Sequence, residues 1–210
     1  MPAVKNRCVI IGGADISDYE YVRNILKKDD YIMMCDSGLK HMQMLGVTPD
    51  LIVGDFDSHC NPHMDVETIV LPCEKDDTDT FFAVKEGLKR GYCDFLLLGA
   101  AGGRLDHTLG NVSILLYLDS LGKTAVLADD YADMEIVSHK AAYIEDSYRY
   151  FSLLNISGKA KGVGIENAKY PLDNAEITCE YAYGVSNEVL PGKTAKVTVA
   201  DGKLLLIKIR

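Results

Sequence analysis

The chain has 210 residues, 48% hydrophobic and 25% charged, a composition that excludes a disordered, collagen-like or coiled-coil protein. That length holds one large domain or two small ones. A formal charge of −9 argues against nonspecific nucleic-acid binding through a basic face, and no apolar run approaches the ~20 residues of a membrane span.

Apolar runs and helix-like stretches alternate through the first 128 residues. Residues 8–11, 31–35 and 95–98 are nearly continuous apolar runs, as strands covered on both faces should be. Shorter strand candidates lie at 51–53, 68–71 and 124–128. The run at 8–11 follows Lys5 and Arg7, has only a strand's length and breaks at Gly12-Gly13, so no secretion signal is expected. Helices are expected over about 18–28, 39–45, 78–90 and 106–121. The third is the best marked, with Thr78 and Asp79 at its start, Lys89 and Arg90 in its last turn and Gly91 just after.

Beyond about residue 130 the pattern changes to short strand-like stretches at 135–138, 151–156, 175–181, 195–200 and 203–209. Gly, Pro and Asn turns separate them, and Asp201-Gly202 between the last two predicts a hairpin. The expected fold class is α/β: an N-terminal doubly wound, mostly parallel sheet over 1–130, then a C-terminal antiparallel β-sandwich domain over 131–210. The cysteines (Cys8, Cys35, Cys60, Cys73, Cys93, Cys179) show no C-x-x-C pair and no clustering. They are read as free thiols in a cytoplasmic protein.

Charge is concentrated in one stretch. Residues 50–79 carry nine acids against Lys75 alone, so eight of the nine excess negative charges fall there. Such a cluster repels itself unless it is solvated or holds a cation. Its members stand just after predicted strands, where ligands bind in open parallel sheets. Asp36-Ser37-Gly38 follows the second strand, Gly54-Asp55-Phe56-Asp57-Ser58 the third, and Lys75-Asp76-Asp77-Thr78-Asp79 the fourth. In extended chain, Asp55 and Asp57 would point the same way about 7 Å apart, with Gly54 admitting close approach and Phe56 anchored in the core. With Asp36 and Asp79 at neighbouring strand ends, the all-oxygen set indicates Mg²⁺, which normally arrives with phosphates.

The loop Gly99-Ala100-Ala101-Gly102-Gly103-Arg104-Leu105-Asp106-His107 has the character of a phosphate site. Its small residues expose backbone N–H groups, a helix follows, and Arg104 can fork two oxygens. Gly12-Gly13 is a further candidate, though without G-x-G-x-x-G or a P-loop. Of the histidines, His59 and His63 are four apart but separated by Pro62, and are read as surface loop. His107 adjoins Asp106, while His41 and His139 carry no assignment.

In that order and spacing, Asp36-Ser37-Gly38, Gly54-Asp55-Phe56-Asp57-Ser58, Lys75-Asp76-Asp77-Thr78-Asp79 and Gly103-Arg104-Leu105-Asp106-His107 resemble the thiamine pyrophosphokinase family. Lys169-Tyr170-Pro171-Leu172 and Gly184-Val185-Ser186-Asn187-Glu188 resemble its C-terminal segments, so the resemblance spans nearly the whole chain. Two departures are Ser37 where glycine is common, and the run Gly162-Val163-Gly164-Ile165-Glu166-Asn167-Ala168. The resemblance implies transfer of the diphosphoryl group of ATP to the hydroxyl of thiamine, giving thiamine diphosphate and AMP. It implies Mg²⁺ on Asp36, Asp55, Asp57 and Asp79, and ATP phosphates on Gly12, Gly13, Lys75, Thr78, Gly103 and Arg104. Thiamine would meet Asp79, Asp106, Ser186 and Asn187, and the catalytic residues would be Asp79, Asp106 and Arg104. Members are homodimers with thiamine between the α/β domain of one subunit and the sandwich of the other. No nucleic acid or membrane partner is implied.

Three rival readings stand beside this one. A D-x-D phosphohydrolase would use Asp55 as nucleophile, but His59 and Cys60 stand where its usual Thr or Val is expected. A D-x-D nucleotide-sugar transferase is the second. A non-catalytic thiamine- or nucleotide-binding module is the third, and it has no need of so dense a carboxylate set.

Overall fold

Residues 7–56, 64–74 and 76–210 are described by a computed structural model that divides into two units, Met1–Asp130 and Tyr131–Arg210. The first unit runs β1 (Arg7–Ile11), α1 (Tyr19–Ile25), β2 (Asp30–Cys35), a 3-10 turn (Asp36–His41), α2 (Met42–Leu45) and β3 (Leu51–Gly54). It continues with β4 (Glu67–Val70), α3 (Asp79–Lys89), β5 (Asp94–Leu98), α4 (Leu105–Ser120) and β6 (Thr124–Ala128). Its strands pair in parallel in the order β6-β5-β1-β2-β3-β4. The chain therefore builds outward from β1 to β4 and then returns to set β5 on the other side of β1. The reversal between β1 and β5 opens a crevice beyond their carboxyl ends.

Strand β1 shows why the sheet is covered twice. Val9 and Ile11 pack on one face with Val22 of α1 and Leu45 of α2. Cys8 points the other way, toward α3, where a Cβ on Gly87 would stand 2.8 Å from the Phe95 ring and 3.3 Å from the Cys8 sulfur. Glycine at 87 lets α3 lie close against the sheet. The helix begins where its residues predict, with the Thr78 hydroxyl accepting from Phe81 N–H at 3.2 Å. The helix expected over 39–45 is different. A 3-10 turn starts at once on Asp36 and only Met42–Leu45 is α-helical. The turn is tight because Gly38 lies on β1, where a Cβ would meet the Ile11 carbonyl at 2.2 Å.

The second unit holds β7 (Ala132–Val137), β8 (Ala142–Glu145), β9 (Tyr150–Asn155), β10 (Lys159–Glu166), β11 (Leu172–Thr178), β12 (Gly184–Asn187), β13 (Thr194–Thr198) and β14 (Leu204–Ile209). Their antiparallel pairings run β12-β9-β14-β7 and β11-β10-β13-β8. Val137, Phe151, Leu153, Leu204 and Leu206 from the first set bury against Ile144, Val163, Ile165, Ile177 and Val197 from the second. Each such side chain contributes about 1.5–3 kcal/mol by leaving water, and together they make a sandwich core.

Strands β8, β10 and β12 were not legible in the pattern. In β10, Gly162 (φ 62°) and Gly164 interrupt the alternation, and the pairing with β11 shifts register there. The expected hairpin at Asp201-Gly202 is also overturned. Strand β13 pairs with β8 and β10, whereas β14 pairs with β7 and β9. The turn therefore carries the chain from one layer to the other. Gly202 (φ 90°) is needed at that passage, since a Cβ would meet the Lys159 carbonyl at 2.3 Å.

Candidate active site

The carboxyl ends of β1, β2 and β5 and the start of α3 line a cleft of about 340 Å³ in the first unit. Of the residues singled out from sequence, Gly12, Gly13, Ser37, Thr78, Asp79, Gly99, Ala100, Gly102, Gly103, Arg104 and His107 line it. The glycines after β1 act by close approach. A Cβ on Gly12 would meet the Gly99 carbonyl at 2.6 Å, and one on Gly13 would meet the Ser37 hydroxyl at 2.3 Å. The switch point of the sheet, and no dinucleotide fingerprint, places them there.

Beside this cleft the acids gather. Asp36, Asp55 and Asp79 each offer a carboxylate oxygen, and these atoms lie within 4.8 Å of one another. Asp36, only 3% exposed, is held by backbone on two sides. Its Oδ1 accepts from the Ser37 N–H and its Oδ2 from the Phe56 N–H at 3.2 Å. A Cβ on Gly54 would stand 2.6 Å from the Asp36 Cβ, so glycine at the end of β3 makes room for that carboxylate. Three charges of one sign this close repel unless a cation lies among them.

The local geometry differs from the extended one expected. Strand β3 ends at Gly54, and Phe56 adopts φ 56°. That left-handed turn is costly for an aromatic residue. It also leaves Phe56 half-buried, where an anchor in the core was expected. Asp55 thus joins Asp36 and Asp79 through a turn at the strand end. Asp57, Ser58, His59, Cys60, Pro62, His63 and Lys75 lie outside the described residues.

Several expected contacts are already engaged. The Thr78 hydroxyl caps α3. Arg104 and Asp106 bond each other in two places, at 3.2 and 2.6 Å, on an exposed surface. That guanidinium pushes the Asp106 pKa down to about 2, which makes it a weak proton acceptor while the pair persists. Asp106 and His107 also border an adjoining hollow of about 360 Å³ with Asp76, Asp77 and Phe81. The glycine loop is pinned from behind, because Gly102 N–H donates to the Thr108 hydroxyl and the Asn111 amide to the Ala100 carbonyl at 2.6 Å. Helix α4 begins at Leu105 with no side-chain cap from Arg104, and the His107 N–H of its first turn is taken by the Asp106 carboxylate.

Asp15, Thr80 and Asn111 also line the cleft and carried no assignment from sequence. For Asn111 the signal was its spacing, four residues after His107 on one helix face. In the second unit a groove of about 340 Å³ is lined by Lys169, Tyr170, Tyr183, Val185 and Asn187. Ser186 beside it is exposed and left-handed at φ 59°. The Asn187 side chain is buried and spent on backbone, accepting from Tyr170 N–H at 3.0 Å and donating to the Tyr170 carbonyl at 2.8 Å. Among the described residues Cys8, Cys35, Cys73, Cys93 and Cys179 are free thiols, and no helix is long and apolar enough to cross a membrane.

The family model described as "Thiamin pyrophosphokinase, catalytic domain" matches residues 22–127, and "Thiamin pyrophosphokinase, vitamin B1 binding domain" matches 136–204. A curated relative, the thiamine pyrophosphokinase of Bacillus subtilis (strain 168), is 28% identical over 181 residues, covering 82% of this chain and 84% of its own. The crystal structure of thiamine pyrophosphokinase from Bacillus subtilis superposes with a TM-score of 0.87 at 24% identity, over 97% of this chain and 99% of that one. The thiamin pyrophosphokinase structure from Candida albicans gives 0.76 at 17% identity, over 98% and 90%. These two structures share the fold described above.

Proposed function

The chain belongs to the thiamin pyrophosphokinase family, and from that membership we propose that it transfers the diphosphoryl group of ATP to the hydroxyl of thiamine. In this reading the hydroxyl oxygen bonds to the β-phosphorus and the bond from that phosphorus to the α-phosphate oxygen breaks. The products are thiamine diphosphate and AMP, and the hydroxyl proton is lost. The observation that carries the reading is the meeting of Asp36, Asp55 and Asp79 at the edge of the cleft.

That oxygen-only set fits Mg²⁺, and by the family resemblance Asp57 would join it. When bound, the ion supplies charge neutralisation for the triphosphate. The protein's own residues then position the reactants, which is most of what a loose phosphoryl transfer needs. The Gly12-Gly13 turn, Thr78 and the Gly102-Gly103 loop would receive the phosphates, with Lys75 added by resemblance. Arg104 would turn from Asp106 to phosphate oxygens, with Asp106 as its holding partner. Asp79 belongs to the acid cluster and also lines the cleft, so it is the better candidate to receive the proton.

For the vitamin, the tyrosine faces around the groove of the second unit suit a cationic thiazolium, and Ser186 offers an exposed hydroxyl beside them. Asn187 would act there by shaping the Tyr170 backbone. We read the chain as a cytoplasmic homodimer, to be checked by light scattering at twice the chain mass.

The test is to incubate the protein with Mg·ATP and thiamine and separate the nucleotides. AMP formed only in the presence of thiamine upholds the reading. ADP would mark an ordinary kinase, and inorganic phosphate alone a hydrolase.

A further inference from the structure

The wall of the cleft after β1 is irregular chain, so tertiary contacts must set its shape. Gly12 N–H donates to the Leu98 carbonyl and Ala14 N–H to the Gly99 carbonyl, both at 2.8 Å. At the far end, the Asp130 carboxylate accepts from Ser17 N–H at 2.7 Å and Asp18 N–H at 3.0 Å. Between these anchors the Ala14 carbonyl oxygen lies beside the turn after β5, 3.3 Å from where a Cβ on Gly99 would stand, and it is met by the His41 side chain. His41, 1% exposed, places Nε2 at 2.9 Å from it.

A carbonyl only accepts, so Nε2 carries a proton, and in the neutral ring Nδ1 keeps a lone pair. The Tyr19 hydroxyl lies 2.8 Å from Nδ1 and donates to it, with the two rings 5.8 Å apart and tilted. Burial lowers the His41 pKa, against the pull of the Ala14 bond, and this favours the neutral ring in which Nδ1 accepts from Tyr19. Lys40, next in chain, bonds the Asp15 carboxylate at 2.7 Å. The peptide between Ala14 and Asp15 is thereby held by the 3-10 turn that begins with Asp36.

We propose that His41 is a positioning residue for the nucleotide side of the cleft, fixing through Nε2 the Ala14 carbonyl and with it the wall formed by residues 13–15. The inference rests on the reading of this cleft as the ATP site. His41 touches no substrate. It ties the loop after β1 to the turn after β2, while the Gly12 and Ala14 N–H bonds tie that loop to the end of β5.

The experiment measures AMP formation by the full-length protein and its His41→Leu, His41→Gln and Tyr19→Phe variants, with KM for ATP and for thiamine determined separately and Tm for each. His41→Leu orphans the carbonyl and should raise KM for ATP about 10-fold, with kcat and KM for thiamine within about 2-fold. Gln can reproduce the Nε2 donor, so His41→Gln should recover most of that loss. Tyr19→Phe loosens the ring without removing it and should give about a 3-fold rise, which keeps the test alive if His41→Leu does not fold. An unchanged KM for ATP in folded His41→Leu overturns the proposal, as does an equal rise in both KM values or failure of Gln to rescue. If the wild type forms no AMP, the functional reading fails. Calorimetric titration with Mg·ATP then decides separately: about 10-fold weaker binding by His41→Leu upholds the role of His41, and equal binding or none by the wild type ends it.

Discussion

The two edges of the parallel sheet treat charge in opposite ways. At the edge where strands begin, acids meet arginines. Arg7 bonds Asp30 through Nε at 2.9 Å and through its terminal nitrogen at 2.7 Å. Arg90 joins Glu67, Glu86 and the Tyr31 hydroxyl. At the edge where strands end, Asp36, Asp55 and Asp79 converge within 4.8 Å, with Gly54 cleared of a side chain and Phe56 in a left-handed turn to permit it. One edge arranges opposite charges and is built for stability. The other concentrates like charges beside a cleft, a disposition that a bound cation would stabilise.

The largest effect should come from breaking the carboxyl edge. Asp55→Asn or Asp79→Asn is expected to lower kcat at least about 100-fold with little change in the melting curve. Mg²⁺ should raise the Tm of the wild type and not that of the double variant. An active double variant would separate the cluster from function. Gly54→Ala comes next, because its Cβ would sit 2.6 Å from that of Asp36. It should cost about 1–3 kcal/mol in denaturant unfolding and also lower kcat, since the displaced group is a ligand candidate.

The starting edge should answer differently. Asp30→Asn leaves Arg7 without its charged partner in a largely buried place, and about 3 kcal/mol of stability should be lost while kcat stays within about 2-fold. A selective loss of kcat would erase the contrast between the edges. The smallest effect concerns Asp106. Its folded pKa of about 2 lies below the ordinary value, so the pair with Arg104 is fully present above about pH 4 and is lost as pH falls through about 2. Because both groups are exposed, Asp106→Asn should move Tm by less than about 2 °C between pH 5 and 8. A sharp Tm dependence on pH in that window, lost in Asp106→Asn, would contradict this.

The carboxyl edge was also the more legible of the two. Asp36, Asp55, Asp79 and Arg104 stand out because each follows an apolar run at the point where a parallel sheet binds ligands. Helix α3 was readable from Thr78 to Lys89, since its cap, terminal charges and following glycine are local signals. The pairings Arg7 with Asp30 and Arg90 with Glu67 span 23 residues each and leave no local trace. His41 was equally silent, a histidine 27 residues from the carbonyl it holds. In the sandwich, the Asp201-Gly202 dipeptide suggested a hairpin, because a turn's chemistry does not say which layer the next strand joins.

Strand and helix periodicity, turn residues and the order of the acidic loops are properties of neighbours along the chain, and the amino-acid sequence alone determined them here. Which loops meet is another matter. The switch between β1 and β5, the left-handed Phe56, the bond from His41 to Ala14 and the use of Asn187 on the Tyr170 backbone were decided only by tertiary structure. Each depends on groups far apart in sequence finding a single packed arrangement, and long-range packing and hydrogen-bond satisfaction are settled across the whole fold, not within any window of residues.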